Sequence, residues 1–323
     1  MREIMNRAAK LIHLDAARRQ GLTGKGIGIA IFDTGIGYHP DLFPDRGRAG
    51  LAAFYDTFQE KSHYYDDNGH GTHIAGILAG SGASCQGKYP GIAPNCHYVV
   101  IKILNKQGEG NIENVLMGIH WLLDHAREYD IRIVNISVGS TRGKNFSETS
   151  PLVESVNKLW SAGLTVFTAA GNHGPSPSSI GAPGNSRKII TVGSSDVVAF
   201  TSGRDFSGRG PTENCIKKPD IVAPGSQITS CYPMVPGKKP GSYLPLPTYK
   251  ENIEYHQGIP YLARTGTSMA TPIVTGCAAL LLEKYPRLTN KEVKMRLRKT
   301  ARDLGFPHAR QGWGLLELDR LLA

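Results

Sequence analysis

The sequence predicts an α/β fold in which a mostly parallel central β-sheet is flanked by helices on both faces. Three observations predict it. Short apolar, β-branched runs occur at 26–32, 98–104, 131–138, 164–170 and 188–193, as expected for strands buried on both sides. Helical patterns alternate with them at 71–79, 112–128 and 152–162 and continue at 268–285 and 290–300, the rhythm of a sheet covered by crossover helices. The chain of 323 residues, 40% apolar and 20% charged, is also long enough to bury a large core.

Taken in order, the segment 5–19 looks helical and belongs to an N-terminal extension, 1–23, ahead of a single domain over 24–323. The extension carries Arg2, Glu3, Arg7, Lys10 and Asp15 among its apolar residues, so it lacks the unbroken apolar stretch of a signal peptide. No run approaches the ~18 apolar residues of a membrane span. One stretch breaks the rhythm. At 231–262, Pro233, Pro236, Pro240, Pro245 and Pro247 argue against any regular element, and this is read as a surface insertion that overhangs a cleft.

The formal charge is +10, but Lys and Arg are scattered. Their densest cluster, 291–302, reads as the solvated face of a helix rather than as a nucleic-acid footprint. The five cysteines, Cys85, Cys96, Cys215, Cys231 and Cys277, show neither metal-site nor scaffold spacing and read mainly as reduced thiols. The pairs placed to close a loop are Cys85 with Cys96 and Cys215 with Cys231.

Ligands of parallel sheets bind beyond the carboxyl ends of the strands, and four segments there carry reactive groups. Asp33 ends the first apolar run in Phe32-Asp33-Thr34-Gly35, and His70 opens a small-residue helix in Asn68-Gly69-His70-Gly71-Thr72-His73. Asn172 follows the run ending Ala169-Ala170-Gly171, and Ser268 enters an apolar helix in Thr265-Gly266-Thr267-Ser268-Met269-Ala270. A serine hydroxyl needs a base, the imidazole needs a carboxylate to hold its tautomer, and a tetrahedral oxyanion needs preset donors. Each motif alone has a plainer reading, as an Asx turn for Asp33 or a helix cap for Ser268. The conjunction in one chain is the specific signal.

These segments, in the order Asp, His, Asn, Ser, resemble those of the subtilisin-like serine proteases, from about Gly24 to Gly314. The resemblance implies the three-layer fold of that family and a serine endopeptidase acting on polypeptides. It implies a triad of Asp33, His70 and Ser268, with Asn172 in the oxyanion hole and His73 left to packing. It further implies that Ser137, Val138 and Gly139, with Ala169, Ala170 and Gly171, pair with an extended substrate. Gly181 then lies at the base of a pocket open to Phe, Tyr, Leu or Met, and His173 biases its rim toward acidic residues.

No cofactor is implied for the chemistry, while a structural calcium or sodium ion is in keeping with the family. The segment 81–89 lacks the carboxylates and Asn that calcium would need, which leaves Asp196 as a weaker ligand and Asp66-Asp67 as another. The expected location is cytoplasmic, the alternative being a secreted enzyme given in mature form. Two rivals compete. An aspartic protease would need a second carboxylate loop like Asp33-Thr34-Gly35, which the sequence does not contain. A catalytically dead scaffold would be expected to have lost a triad residue, and none is lost. Ester hydrolysis remains open as a side activity.

Overall fold

The structure, a computed structural model, describes residues 7–43, 50–59, 61–139, 149–195, 205–212, 215–234 and 253–323. In chain order it comprises α1 (Arg7–Leu11), α2 (Asp15–Arg19), β1 (Gly28–Asp33), β2 (Leu51–Asp56), α3 (His70–Ala79), β3 (His97–Lys102), α4 (Ile112–His125), β4 (Ile131–Ile136), α5 (Pro151–Ser161) and β5 (Thr165–Ala169). There follow β6 (Ile190–Ser194), β7 (Ile221–Ala223), β8 (Ile228–Cys231), β9 (Ile253–His256), β10 (Ile259–Arg264), α6 (Thr267–Lys284), α7 (Asn290–Thr300), α8 (His308–Gln311) and α9 (Leu318–Leu322). Among the described residues no helix is long and apolar enough to cross a membrane.

Seven parallel strands form the central sheet in the order β2-β3-β1-β4-β5-β6-β7. All five predicted strands are present, joined by β2 at one edge and the three-residue β7 at the other. Every residue of β1, β5, β6 and β7 is buried, which explains why their sequences do not alternate. The register shows what covers each face. Phe32 is in line with Ile101 and Ile136, and a Cβ on Gly118 of α4 would come within 2.7 Å of Ile101 and 3.1 Å of Phe32, so α4 lies on that face. Ile31 is in line with Asn135, whose Oδ1 accepts a hydrogen bond from Thr275 of α6 at 2.9 Å, which puts α6 on the other. Helix starts fall where side chains satisfy free N–H groups: Asn111 caps α4, Ser150 caps α5, and Thr289 with Glu292 forms a capping box on α7.

The expectation of no regular element at 231–262 is corrected at both ends of that stretch. β8, β10 and β9 form an antiparallel sheet. β9 turns into β10 through Gln257 and Gly258, both at positive φ (52° and 82°), the geometry that a two-residue hairpin turn requires. Pro260 fits because its carbonyl still accepts, from Tyr232 N at 3.2 Å. The prolines at 236, 240, 245 and 247 lie outside the described residues. All five cysteines are free thiols, four of them buried.

Candidate active site

β1 lies where the chain's strand order reverses, with β3 on one side and β4 on the other, so a crevice opens beyond its carboxyl end. Asp33, fully buried, ends β1 there, and its Oδ1 lies 2.7 Å from His70 Nδ1. Thr34 N donates to the same oxygen at 2.8 Å. His70 opens α3 with its ring 21% exposed. Its backbone entry depends on Gly69, at φ 91°, where a Cβ would also meet the Tyr232 ring at 2.6 Å.

The arrangement around this pair is a clamp that the sequence did not reveal. Asp66 is 6% exposed and accepts five hydrogen bonds, from Thr34 Oγ1, Asn68 N, Gly69 N, Thr72 N and Thr72 Oγ1, at 2.6–3.1 Å. Thr34 Oγ1 in turn accepts from Gly71 N at 2.8 Å. Gly71 packs so closely that a Cβ would lie 2.1 Å from the Gly35 carbonyl oxygen. Lys102, in register with Asp33 and 1% exposed, sends its ammonium to Thr34 O, Leu104 O and Asp67 Oδ1 at 2.7–2.8 Å. Asp66 and Asp67 are therefore neither a solvated charge pair nor a vacant cation site. The legible signals were a lysine closing a buried apolar run and an Asp-Asp-Asn-Gly turn before a helix.

Ser268 is the second residue of α6 and half-buried. It is not the helix cap, a position held by Gly266, and it belongs to the turn whose N–H groups have no intrahelical acceptor. Asn172 is exposed at the end of the β5 loop, and its Oδ1 accepts from Thr267 N at 2.9 Å and Thr267 Oγ1 at 3.1 Å. Holding the oxygen in this way turns the Nδ2 donor away from Thr267. His70, Asn172 and Ser268 line one cleft, together with Asn68, Arg264, Thr265, Gly266 and Met269.

Of the other predicted residues, Ser137 is buried and accepts from Asn135 Nδ2 at 2.9 Å, while Val138 and Gly139 emerge to partial and full exposure. Ala169 and Ala170 are buried, and Gly171 turns the chain at φ 86°. Gly181 is half-buried, with its carbonyl accepting from Asn185 N at 3.1 Å. His173 is exposed. His73, fully buried, is a structural tie: its Nε2 meets the carbonyls of Leu262 (2.9 Å) and Ile228 (3.1 Å). Burial, followed by the nearby charges of Arg264 and His70, holds its pKa well below the usual imidazole range.

Asp196 lies outside the described residues. The carbonyls of Arg187, Lys188 and Ile189, which could otherwise face a cation, bond the ammonium of Lys294 at 2.9–3.0 Å. Lys218 Nζ joins Ile189 O and Asp220. Among the described residues, two clusters bring His, Cys or carboxylate atoms within 4.8 Å of one another: His39-Asp41-Cys231 and His13-Glu317-Asp319. In the first, both His39 nitrogens already have partners, Pro260 O and Asp41 N. The Asp41 carboxylate accepts from Ser81, Ser84 and Tyr261. In the second, His13 pairs with Asp319, and Glu317 with Arg302.

The model of the subtilase family matches residues 24–314. Serine protease AprX of Bacillus subtilis (strain 168) is 41% identical over 305 residues, which cover 91% of this chain and 66% of that protein. A thermostable alkaline protease of Halalkalibacterium halodurans is 32% identical over 309 residues, 96% of this chain and 71% of its own length. Subtilisin BL of Lederbergia lenta is 33% identical over 294 residues, 91% of this chain and 90% of its own. The chain thus spans slightly less than two thirds of the AprX length.

Proposed function

The chain belongs to the subtilase family, the subtilisin-like serine proteases, and from that premise we propose that it is a serine endopeptidase whose triad is Asp33, His70 and Ser268. The observation that carries this reading is the 2.7 Å contact between Asp33 and His70 at the wall of a cleft that also contains Ser268 and Asn172. In the proposed cycle Ser268 Oγ attacks the substrate carbonyl carbon while His70 takes the hydroxyl proton, and Asp33 stabilises the imidazolium. The carbonyl electrons move onto oxygen, which Asn172 Nδ2 and the Ser268 N–H receive. As the C–N bond breaks, His70 returns the proton to the departing amine. Water then repeats the sequence on the acyl-enzyme and frees the acid. No cofactor enters any step.

Gly139, Gly171 and Gly181 present little side-chain bulk, and no carboxylate lies in 137–139 or 169–171. This favours large apolar or aromatic residues before the scissile bond, in line with the pocket reading, and polypeptide strands as the substrate class. The segment 24–323 acts as one domain in this reading. A structural calcium or sodium ion would have to use carbonyls other than those that Lys294 occupies.

The test is intact mass after a fluorophosphonate, compared with Ser268→Ala, beside hydrolysis of peptides ending in Phe, Leu, Arg or Lys. A single adduct absent from the variant, loss of kcat on the order of 10⁶ as for triad removal in subtilisin, and faster cleavage after Phe or Leu are expected. An adduct surviving in Ser268→Ala removes the nucleophile assignment, and faster cleavage after Arg or Lys removes the pocket assignment.

A further inference from the structure

Resting on the endopeptidase reading of the cleft, in which 137–139 pairs with the substrate, we propose that Asn135 is a positioning residue that registers this substrate strand against the helix carrying Ser268. Asn135 and Ser137 are two residues apart along β4 and its continuation, so their side chains share a face. Asn135 is fully buried. Its Nδ2 donates to Ser137 Oγ at 2.9 Å, and its Oδ1 accepts from Thr275 Oγ1 of α6 at 2.9 Å. Thr275 Oγ1 lies at the same 2.9 Å from the Thr271 carbonyl oxygen, its one proton shared between the two acceptors. Thr271 Oγ1 donates to the Thr267 carbonyl at 2.8 Å, and Thr267 holds the Asn172 oxygen. An unbroken polar thread therefore runs from the substrate strand through the core to the residue before Ser268 and to the proposed oxyanion donor.

The surroundings of the thread are apolar. Thr267, Thr271 and Thr275, spaced four apart on one side of α6, are fully buried, as are Ile273, Val274 and Ala278 beside them. Apolar burial is non-directional, so it holds α6 on the sheet without fixing how the strand end and the helix start line up. A buried network whose members are all bonded specifies one arrangement, and Asn135 is where this one passes from sheet to helix. Packing thus places Ser268, and the Asn135 amide places 137–139 relative to it. A peptide carbonyl delivered by that strand meets Ser268 in line only while the register holds, and ~1 Å of displacement corresponds to about 10² in rate. A small reagent that does not lie along the strand is indifferent to the register.

The experiment compares the wild-type chain with Asn135→Leu, which keeps the bulk and removes both polar ends, Thr275→Val, which keeps the shape and removes the hydroxyl, and Thr275→Ser, which keeps the hydroxyl. Each is assayed, well below its unfolding temperature, for kcat and KM on an internally quenched peptide with Phe before the bond, and for the second-order rate of labelling by a small alkyl fluorophosphonate. In Asn135→Leu and Thr275→Val, kcat on the peptide should fall by about tenfold or more with KM little changed, while labelling stays within about twofold of wild type. Thr275→Ser should keep both rates within about twofold. The double variant should lose little more than Asn135→Leu alone, as for two cuts in one connection. Peptide and labelling rates that fall together overturn the proposal, as do an unchanged peptide rate in Asn135→Leu, a loss carried by KM alone, or a loss in Thr275→Ser equal to that in Thr275→Val. If Asn135→Leu does not fold, Thr275→Val decides by the same split between peptide and label. Failure of the endopeptidase reading looks different: the wild type cuts no peptide and forms no fluorophosphonate adduct on Ser268.

Discussion

The two halves of the cleft are held in place by different forces. Asp33 and His70 sit in a polar lattice in which Thr34, Asp66, Thr72 and Lys102 each bond to more than one segment. Asn172 is tied to Thr267, the residue before Ser268, by two hydrogen bonds from Thr267 N and Oγ1 to its side-chain oxygen. Behind Ser268, α6 buries every residue from Met269 to Leu282. The proposed acid–base pair is thus oriented by directional bonds and the proposed nucleophile by a helix fixed in the apolar core. The difference teaches that the Asp33–His70 geometry depends on buried polar groups near β1, whereas the placement of Ser268 depends on packing.

The sharpest test of the second half is Asn172→Ala. Losing an oxyanion donor should lower kcat by about 10² to 10³, the range known for the corresponding change in subtilisin, with KM little altered. A loss of less than about threefold would show that the Thr267 contacts serve loop structure alone. On the first half, Asp66→Ala leaves five donors without their acceptor and lets α3 shift against β1. A displacement of ~1 Å at the imidazole corresponds to about 10² in kcat, with a smaller change in KM. Thr34→Val removes a single bridge and should give a smaller loss in the same direction. If Asp66→Ala changes KM and kcat equally, the lattice binds substrate rather than aiming His70.

The smallest expected effect concerns acid. Burial drives the pKa of His39 down to about 4 and that of His73 well below the usual range, so both stay neutral in the folded state. Unfolded, each takes up a proton below pH ~6.5. The unfolded state then binds more protons, and stability falls as pH drops from ~6.5 toward ~4, by at most about 1.4 kcal/mol per pH unit for each histidine. Urea unfolding at pH ~7, ~6 and ~5 measures this. Loss of protection should appear first in amides of α3 and β10, which His73 joins, and later in α6. Equal loss in α6 and α3 would erase the distinction between the halves.

Much of this molecule was legible in the sequence because parallel strands buried on both faces leave continuous apolar runs, and five of the seven sheet strands were found that way. Edge strand β2, only partly buried, and the three-residue β7 carry too little pattern to be seen. The β9–β10 hairpin was hidden by the prolines around it, although Gln257-Gly258 at its turn was a usable clue. Asp33, His70, Asn172 and Ser268 were legible as candidates from the conjunction of four local motifs, and the structure bonds Asp33 to His70 and brings His70, Asn172 and Ser268 to one cleft. Asp66 and Lys102 were not legible, because a charged residue reads as solvated until something packs over it. Burial is a property of the whole fold. Only the tertiary structure brought Lys102 beneath Thr34 and closed Asp66 between two loops, because the groups that surround each of them come from strands and helices far apart in the chain.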